Sequence, residues 1–219
     1  MPTAGDPLAL LRRLRLLPVL TIDDAASAVP LARALAEGGL PVAEVTFRTP
    51  AAADALRRIA REVPDVLLAA GTVLTPERVD EACEAGASLI VAPGLNPRVV
   101  ARAQERGVPV LPGVCTPSEI EQGLALGLTT FKFFPAEAMG GTRFLQAVCA
   151  PYGDVTFVPT GGIDARNVAD YLAVPPVLAV GGSWMAPRDR VRAGDFAFIR
   201  DETARAVRAA HGLPAIHSA

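Results

Sequence analysis

The sequence predicts an α/β protein, specifically a (β/α)8 TIM barrel with an extra N-terminal helix, and three observations support this fold class. Short apolar runs alternate with longer amphipathic ones along the 219 residues. Helix-start signals recur every 20 to 26 residues, which fits one strand, one helix and two short loops. Eight short runs are largely apolar, as is typical of parallel strands buried on both faces. We therefore expect a single barrel domain over residues 1–219.

Each element can be assigned in order along the chain. A helical segment, Asp6–Arg15, precedes the first strand. The strand candidates are Pro18–Ile22, Ala43–Phe47, Leu67–Ala70, Leu89–Ala92, Val108–Leu111, Thr130–Phe133, Thr156–Pro159 and Val177–Val180. Four helix starts pair an N-cap residue with a proline, at Thr49-Pro50, Thr75-Pro76, Asn96-Pro97 and Thr116-Pro117. An open doubly wound sheet is the alternative, but no GxGxxG motif follows the first strand.

Composition argues against several functional classes. The formal net charge is −2 and the arginines are scattered, so no nucleic-acid surface is indicated. The longest uncharged run, residues 171–187, contains three prolines, and three arginines interrupt the leucine-rich start, so neither a membrane span nor a signal peptide is expected. Three cysteines without CxxC spacing predict reduced thiols in a cytoplasmic protein. Both histidines lie in the last nine residues, which argues against histidine-based metal or triad chemistry in the body of the protein.

The chain contains a single lysine, Lys132, beside 20 arginines. An amine, unlike a guanidinium, can lose its proton and attack a carbonyl group. In strand six, Lys132 alternates with Phe131 and Phe133, so two phenylalanines under the helices would direct the lysine into the barrel. An interior ammonium is costly unless it is neutral or paired. This favours a Schiff-base nucleophile over a stray lysine that merely packs against phenylalanines.

Strand two supplies polar side chains for the same interior. Glu44, Thr46 and Arg48 alternate with Val45 and Phe47, so all three point inward if the apolar pair packs outward. A carboxylate can transfer protons, and an arginine can bind a substrate carboxylate with two hydrogen bonds. A structural ion pair between Glu44 and Arg48 at the rim is the alternative.

Two glycine pairs follow the last two strands, Gly161-Gly162 and Gly181-Gly182. Backbone N–H groups at such pairs can approach an anion closely, and the phosphate site of many barrels follows strands seven and eight. Glycine is also common in ordinary turns. The two pairs together predict a phosphorylated small-molecule substrate.

These residues resemble the 2-keto-3-deoxy-6-phosphogluconate (KDPG) aldolase family of class I aldolases, over about residues 16–210. The motifs that carry the resemblance are Glu44-Val45-Thr46-Phe47-Arg48-Thr49, Gly71-Thr72-Val73-Leu74, Pro93-Gly94-Leu95, Phe131-Lys132-Phe133-Phe134-Pro135-Ala136-Glu137, Pro159-Thr160-Gly161-Gly162-Ile163 and Gly181-Gly182-Ser183-Trp184. The resemblance implies a (β/α)8 barrel that assembles as a homotrimer and needs no metal or other cofactor.

The resemblance also implies roles for individual residues. Lys132 would form the imine and Glu44 would transfer protons. Apart from the resemblance, Glu137 is the next candidate if a Glu44 variant turns over normally. Arg48 and Thr72 would bind the substrate carboxylate. Further substrate contacts would come from Pro93, Phe134 and Thr160, and the phosphate would be bound by Gly161, Gly162, Gly181, Gly182 and Ser183.

The implied reaction is cleavage of KDPG to pyruvate and glyceraldehyde 3-phosphate. Within the family, 2-keto-3-deoxy-6-phosphogalactonate and 4-hydroxy-2-oxoglutarate (KHG) are alternative substrates, and residue types do not separate the C4 epimers. A sugar-phosphate isomerase or epimerase is a rival, although such enzymes usually use a histidine, a metal or paired carboxylates. A barrel that binds a phosphorylated metabolite without catalysis is the more remote alternative.

Overall fold

The computed structural model describes residues 6–212, in which helices and strands alternate along the chain. The strands are β1 (Leu16–Leu20), β2 (Val42–Thr46), β3 (Leu67–Gly71), β4 (Leu89–Val91), β5 (Val110–Leu111), β6 (Gly113–Val114), β7 (Thr130–Phe133), β8 (Thr156–Pro159) and β9 (Val180–Gly182). The helices are α1 (Pro7–Leu14), α2 (Ala28–Glu37), α3 (Ala52–Glu62), α4 (Pro76–Glu84), α5 (Pro97–Glu105), α6 (Pro117–Ala125), α7 (Gly141–Cys149), α8 (Val168–Leu172), α9 (Arg188–Arg192) and α10 (Phe196–Ala210). A short 3-10 helix, Ala25–Ser27, precedes α2.

Within the described residues the strands form two curled, parallel sheets. The larger sheet has the order β5-β4-β3-β2-β1-β9, and the smaller has the order β6-β7-β8. The first and last strands lie side by side because Pro18 of β1 pairs with Gly182 of β9. Two isolated parallel bridges, Phe157 with Val177 and Thr160 with Gly181, connect β8 to the segment that ends in β9. The predicted α/β class with parallel strands is thus confirmed.

A second short strand, β6, follows the predicted fifth strand, and Pro112 separates the two. Proline has no backbone N–H to donate to a ladder, and β5 before it pairs with β4, whereas β6 after it pairs with β7. The carbonyl of Pro112 still accepts a hydrogen bond from the backbone N of Lys132, at 2.9 Å. The strand predicted over Val108–Leu111 is confirmed at Val110–Leu111, but β6 was not predicted, and the described strands form two ladders rather than a single eight-stranded one.

The last strand lies later in the chain than the predicted segment Val177–Val180. Glycine is depleted in strand interiors, so the sequence predicts an end before Gly181. The structure keeps Gly181 and Gly182 extended because they pair with Leu17 and Pro18 of β1. The pairing of Gly181 and Gly182 with β1 thus outweighs the low preference of glycine for strands.

Three of the four predicted helix starts are confirmed. The side chains of Thr75, Asn96 and Thr116 accept hydrogen bonds from the first turns of α4, α5 and α6. The fourth was wrong, since α3 begins at Ala52, after Thr49-Pro50. The Thr49 hydroxyl instead donates to the carbonyl of Ile22, so it connects two loops.

Helix α1 confirms the extra N-terminal helix. The Asp6 carboxylate accepts a hydrogen bond from the backbone N of Leu8 and caps this helix. In the described part of the chain no helix is both long enough and apolar enough to cross a membrane.

The phenylalanines of β7 point toward the helices, as predicted. A Cβ on Gly123 of α6 would lie 2.2 Å from the Phe131 ring. The Phe133 ring stacks on Phe144 of α7, with centroids 6.1 Å apart. Because side chains alternate along a strand, Lys132 projects from the opposite face, into the interior between the two sheets.

Candidate active site

A buried ion pair joins the two sheets. The Nζ atom of Lys132, on β7, donates to Oε1 of Glu44, on β2, at 3.3 Å. The lysine is only 5% exposed and the glutamate is fully buried. Charges removed from water in this way are tolerated when they are paired. The predicted meeting of these two side chains in the interior is confirmed.

Small residues on β3 make room for the Glu44 carboxylate. Ala69 pairs with Glu44, and Gly71 lies two residues further on the same inner face. A Cβ on Gly71 would lie 2.3 Å from Glu44 Oε1. The other carboxylate oxygen, Oε2, is buried and has no hydrogen-bond partner among the described residues. A buried polar atom of this kind calls for a water or a ligand group as partner.

Arg48 and Thr72 meet at the rim above this pair. The Nε atom of Arg48 donates to the Thr72 hydroxyl at 3.3 Å. Thr72 has a positive φ of 58°, which is rare for a β-branched residue and is found mainly at functional sites. Below them, the buried Thr46 hydroxyl donates to the carbonyl of Leu20 at 2.7 Å.

A cavity of about 250 Å³ opens at the ends of β1, β2, β7, β8 and β9. Seven of the predicted site residues line it: Arg48, Phe134, Thr160, Gly161, Gly162, Gly182 and Ser183. The Phe134 ring also lies beside the buried pair, with its centroid 5.5 Å from Lys132 Nζ. Phe134 therefore connects the cavity with the amine.

The remaining predicted residues lie outside the cavity lining. Lys132 is buried beside the lining residue Phe134 and pairs with Glu44. Thr72 accepts a hydrogen bond from Arg48, which lines the cavity. Gly181 lies behind Thr160, whose hydroxyl would be 2.2 Å from a Cβ at that glycine. Pro93 follows β4, and its carbonyl oxygen would be 2.0 Å from a Cβ on Gly113.

The two glycine pairs are required for different reasons. Gly161 and Gly162 have positive φ values of 105° and 77°, which L side chains rarely adopt. The backbone of Gly182 needs no such freedom, but a Cβ there would lie 1.9 Å from the Trp184 ring. Gly161-Gly162 therefore forms a turn, whereas Gly181-Gly182 leaves room for Thr160 and Trp184 to pack closely against the backbone.

Glu137, the second candidate for proton transfer, has a different partner. Its Oε1 atom accepts a hydrogen bond from the Tyr171 hydroxyl at 2.5 Å. Burial, together with this hydrogen bond, raises the pKa of Tyr171 above its usual range. Through this hydrogen bond Glu137 connects the loop after β7 to α8, whereas Glu44 contacts the Lys132 amine.

Sequence reasoning missed Arg188, which also lines the cavity. Its guanidinium forms two hydrogen bonds with Asp23, which follows β1. The only signal in the sequence was a basic residue five positions after Ser183, in a chain where arginines are scattered. Within residues 6–212 no cluster of three or more His, Cys, Asp or Glu side chains could hold a metal ion.

The model of the KDPG and KHG aldolase family matches residues 8–201. The chain belongs to this family. It is therefore an aldolase, and so a lyase. The 2-dehydro-3-deoxy-phosphogluconate aldolase of Treponema pallidum is 53% identical over 186 residues, which are 85% of this chain and 89% of that protein.

Two solved structures of the family are similar to this fold. The KDPG aldolase of Legionella pneumophila, with pyruvate captured at low pH as a covalent carbinolamine intermediate, gives a TM-score of 0.88 at 38% identity, over 91% of this chain and 97% of that one. The 2-keto-3-deoxy-6-phosphogluconate aldolase of Zymomonas mobilis ZM4, with 3-phosphoglycerate, gives a TM-score of 0.82 at 42% identity, over 90% and 95% of the two chains.

Proposed function

We propose that this aldolase cleaves KDPG to pyruvate and glyceraldehyde 3-phosphate through an imine on Lys132, with Glu44 transferring the protons. The observation that carries this proposal is the buried contact between the amine and the carboxylate, 3.3 Å apart. A relative that holds pyruvate as a carbinolamine gives further support, because a carbinolamine precedes an imine.

The first half of the reaction needs an unprotonated amine. Glu44 Oε1 is in position to accept a proton from Lys132 Nζ. The free amine then adds to the C2 ketone to form a carbinolamine, and Glu44 returns its proton to the hydroxyl group that leaves as water, which gives the imine and restores the carboxylate. Once protonated, the imine accepts the electron pair of the C3–C4 bond when that bond breaks.

The second half needs a base and then an acid at the same place. Glu44 Oε2, buried and unpartnered in the described structure, can accept the C4 hydroxyl proton directly or through water. Glyceraldehyde 3-phosphate leaves, and an enamine remains on Lys132. Glu44 returns a proton to C3, and hydrolysis of the resulting imine releases pyruvate and restores the amine.

The other predicted residues are proposed to position the substrate. Arg48 and Thr72 would bind the carboxylate next to the reacting ketone, since they already contact each other at the rim. Pro93, Phe134 and Thr160 would contact the carbon chain. Backbone N–H groups of the two glycine loops and the Ser183 hydroxyl would bind the distal phosphate at the other side of the cavity.

We further propose that the two sheets form one closed (β/α)8 barrel and a single domain. Val110–Val114 would then be one strand interrupted at Pro112, and the two isolated bridges would complete the closure. We expect this barrel to act in the cytoplasm as a homotrimer, as the family resemblance implies, without a metal or other cofactor.

Borohydride reduction in the presence of pyruvate tests the proposed function. Because the chain has one lysine, a reduced pyruvate adduct on a lysine-containing peptide identifies Lys132 without ambiguity. The adduct should form on wild type and be absent from Lys132→Arg. Cleavage of the sugar acid without any adduct would contradict the Schiff-base mechanism, and a protein that binds without catalysis would give neither result.

KHG is the second candidate substrate, because the family model covers both activities. Comparing kcat/KM for KDPG, its C4 epimer and KHG assigns the preferred substrate. We expect KDPG to give a higher value than KHG, since KHG lacks a phosphate for the glycine loops.

A further inference from the structure

Among the described residues, the charged side chains that line the cavity are both arginines. Among the described residues that line it, Arg48 and Arg188 are charged and no carboxylate is present. Arg48 is engaged with Thr72, on the side where the substrate carboxylate is proposed to bind. Arg188 belongs to the segment that follows Gly182 and Ser183, so it adds a positive charge on the phosphate side.

The pairing of β1 with β9 places Arg188 next to its hydrogen-bond partner, Asp23. The pairing of Pro18 with Gly182 brings the loops after β1 and β9 together. Asp23, in the first loop, accepts hydrogen bonds from Arg188 Nε at 2.9 Å and Nη2 at 2.5 Å. The Nη1 group of Arg188 is left for another acceptor, because neither bond uses it.

Two arginines, Arg188 and Arg192, contact the Asp23 carboxylate. Arg192 Nε also donates to Asp23, at 2.7 Å, so two guanidinium groups share one carboxylate. Hydrogen bonds from both arginines hold the pKa of the Asp23 carboxyl well below its usual range, which keeps this anchor ionised near neutral pH. Of these two arginines only Arg188 lines the cavity, so only its guanidinium can contact a ligand bound there.

We propose that Arg188, positioned by Asp23, is a further phosphate-binding residue that makes the enzyme discriminate in favour of phosphorylated keto acids. This inference rests on the proposed function and adds a side chain that lies outside the motifs that carry the family resemblance. A guanidinium next to backbone N–H donors is well suited to a phosphate dianion, and its fixed orientation lowers the entropy lost on binding.

Arg192 provides a matched control. Arg188→Gln and Arg192→Gln each remove one arginine from Asp23, but only Arg188 lines the cavity. The kcat and KM of both variants should be measured with KDPG and with the same sugar acid lacking the phosphate. Calorimetric binding of inorganic phosphate and thermal unfolding complete the comparison.

Arg188→Gln should raise the KM for KDPG about tenfold with kcat nearly unchanged, as expected for the loss of one exposed charge-assisted hydrogen bond. It should leave the unphosphorylated acid unaffected and weaken phosphate binding. Arg188→Lys should restore part of the affinity, and Arg192→Gln should behave like wild type in every assay.

Equal losses in the two glutamine variants, or an equal loss on both sugar acids, would show that Arg188 is only a structural partner of Asp23. If the proposed aldolase function were wrong, the same assays would give a different result. If wild type cleaves neither acid, the aldolase assignment fails, while the phosphate-binding comparison between wild type and Arg188→Gln still decides the role of Arg188.

Discussion

Two clusters of oppositely charged side chains in this molecule differ in how deeply they are buried. The Lys132–Glu44 pair has side chains that are 7% and 1% exposed, whereas Arg188 and Asp23 are 50% and 28% exposed. The buried pair lies on strands, whereas in the exposed cluster Asp23 lies in a loop and Arg188 lies at the start of α9. Burying a lone charge is costly, so each member of the inner pair depends on the other. Exposed pairs contribute little to stability, and the outer cluster is therefore free to serve binding. Substitutions should lower kcat at the inner pair and raise KM at the outer cluster.

The largest effect is expected from Lys132→Arg. This variant retains a positive charge for Glu44 but has no amine that can form an imine, so turnover should be abolished while the fold persists. Activity and thermal unfolding should be measured together. Lys132→Ala is the informative companion, because it leaves Glu44 buried without a counter-ion and should cost about 3–5 kcal/mol of stability. Substantial cleavage by Lys132→Arg would show that the Lys132–Glu44 pair does not take part in catalysis.

Glu44→Gln should lower kcat by about 10²–10⁴-fold, the usual contribution of a positioned acid–base group. The amide has nearly the same shape but accepts a proton poorly, so pyruvate trapping on Lys132 should remain detectable. Normal turnover would instead direct attention to Glu137, despite its hydrogen bond with Tyr171.

Gly71→Ala tests whether the position of the Glu44 carboxylate matters, not only its presence. The new methyl group would lie 2.3 Å from Oε1 and would displace the carboxylate. We expect kcat to fall by about tenfold or more, since small misplacements of a catalytic group are costly. Gly153→Ala is the control, because a Cβ there meets nothing within 4 Å. An unchanged kcat in Gly71→Ala would mean that the inner pair tolerates movement.

The smallest effect is expected at the outer rim, from Ser183→Ala. Loss of one exposed hydroxyl should raise the KM for KDPG by a few-fold, with kcat and stability unchanged. Ser183 is a better probe than the glycines, because a side chain at Gly162 would combine a positive φ of 77° with a contact of 2.6 Å to Glu137. A fall in kcat rather than a rise in KM would contradict the assignment of Ser183 to phosphate binding.

The sequence by itself determined the inner pair. Alternation along a strand follows from covalent geometry, so the phenylalanines around Lys132 and the apolar residues around Glu44 predicted which side chains point inward. Local chemistry also predicted three helix caps, at Thr75, Asn96 and Thr116. These inferences needed only neighbours in the chain.

The tertiary structure alone decided the features that depend on how distant strands pair. Pairing with β1 extended the last strand through Gly181 and Gly182, against their local preference. The same pairing brings Asp23 to Arg188, 165 residues later in the chain, and so places a cation at the cavity. No periodic pattern in the sequence predicts such a contact. It depends on the register of two strands that are far apart in sequence, and the packing of the whole sheet sets that register.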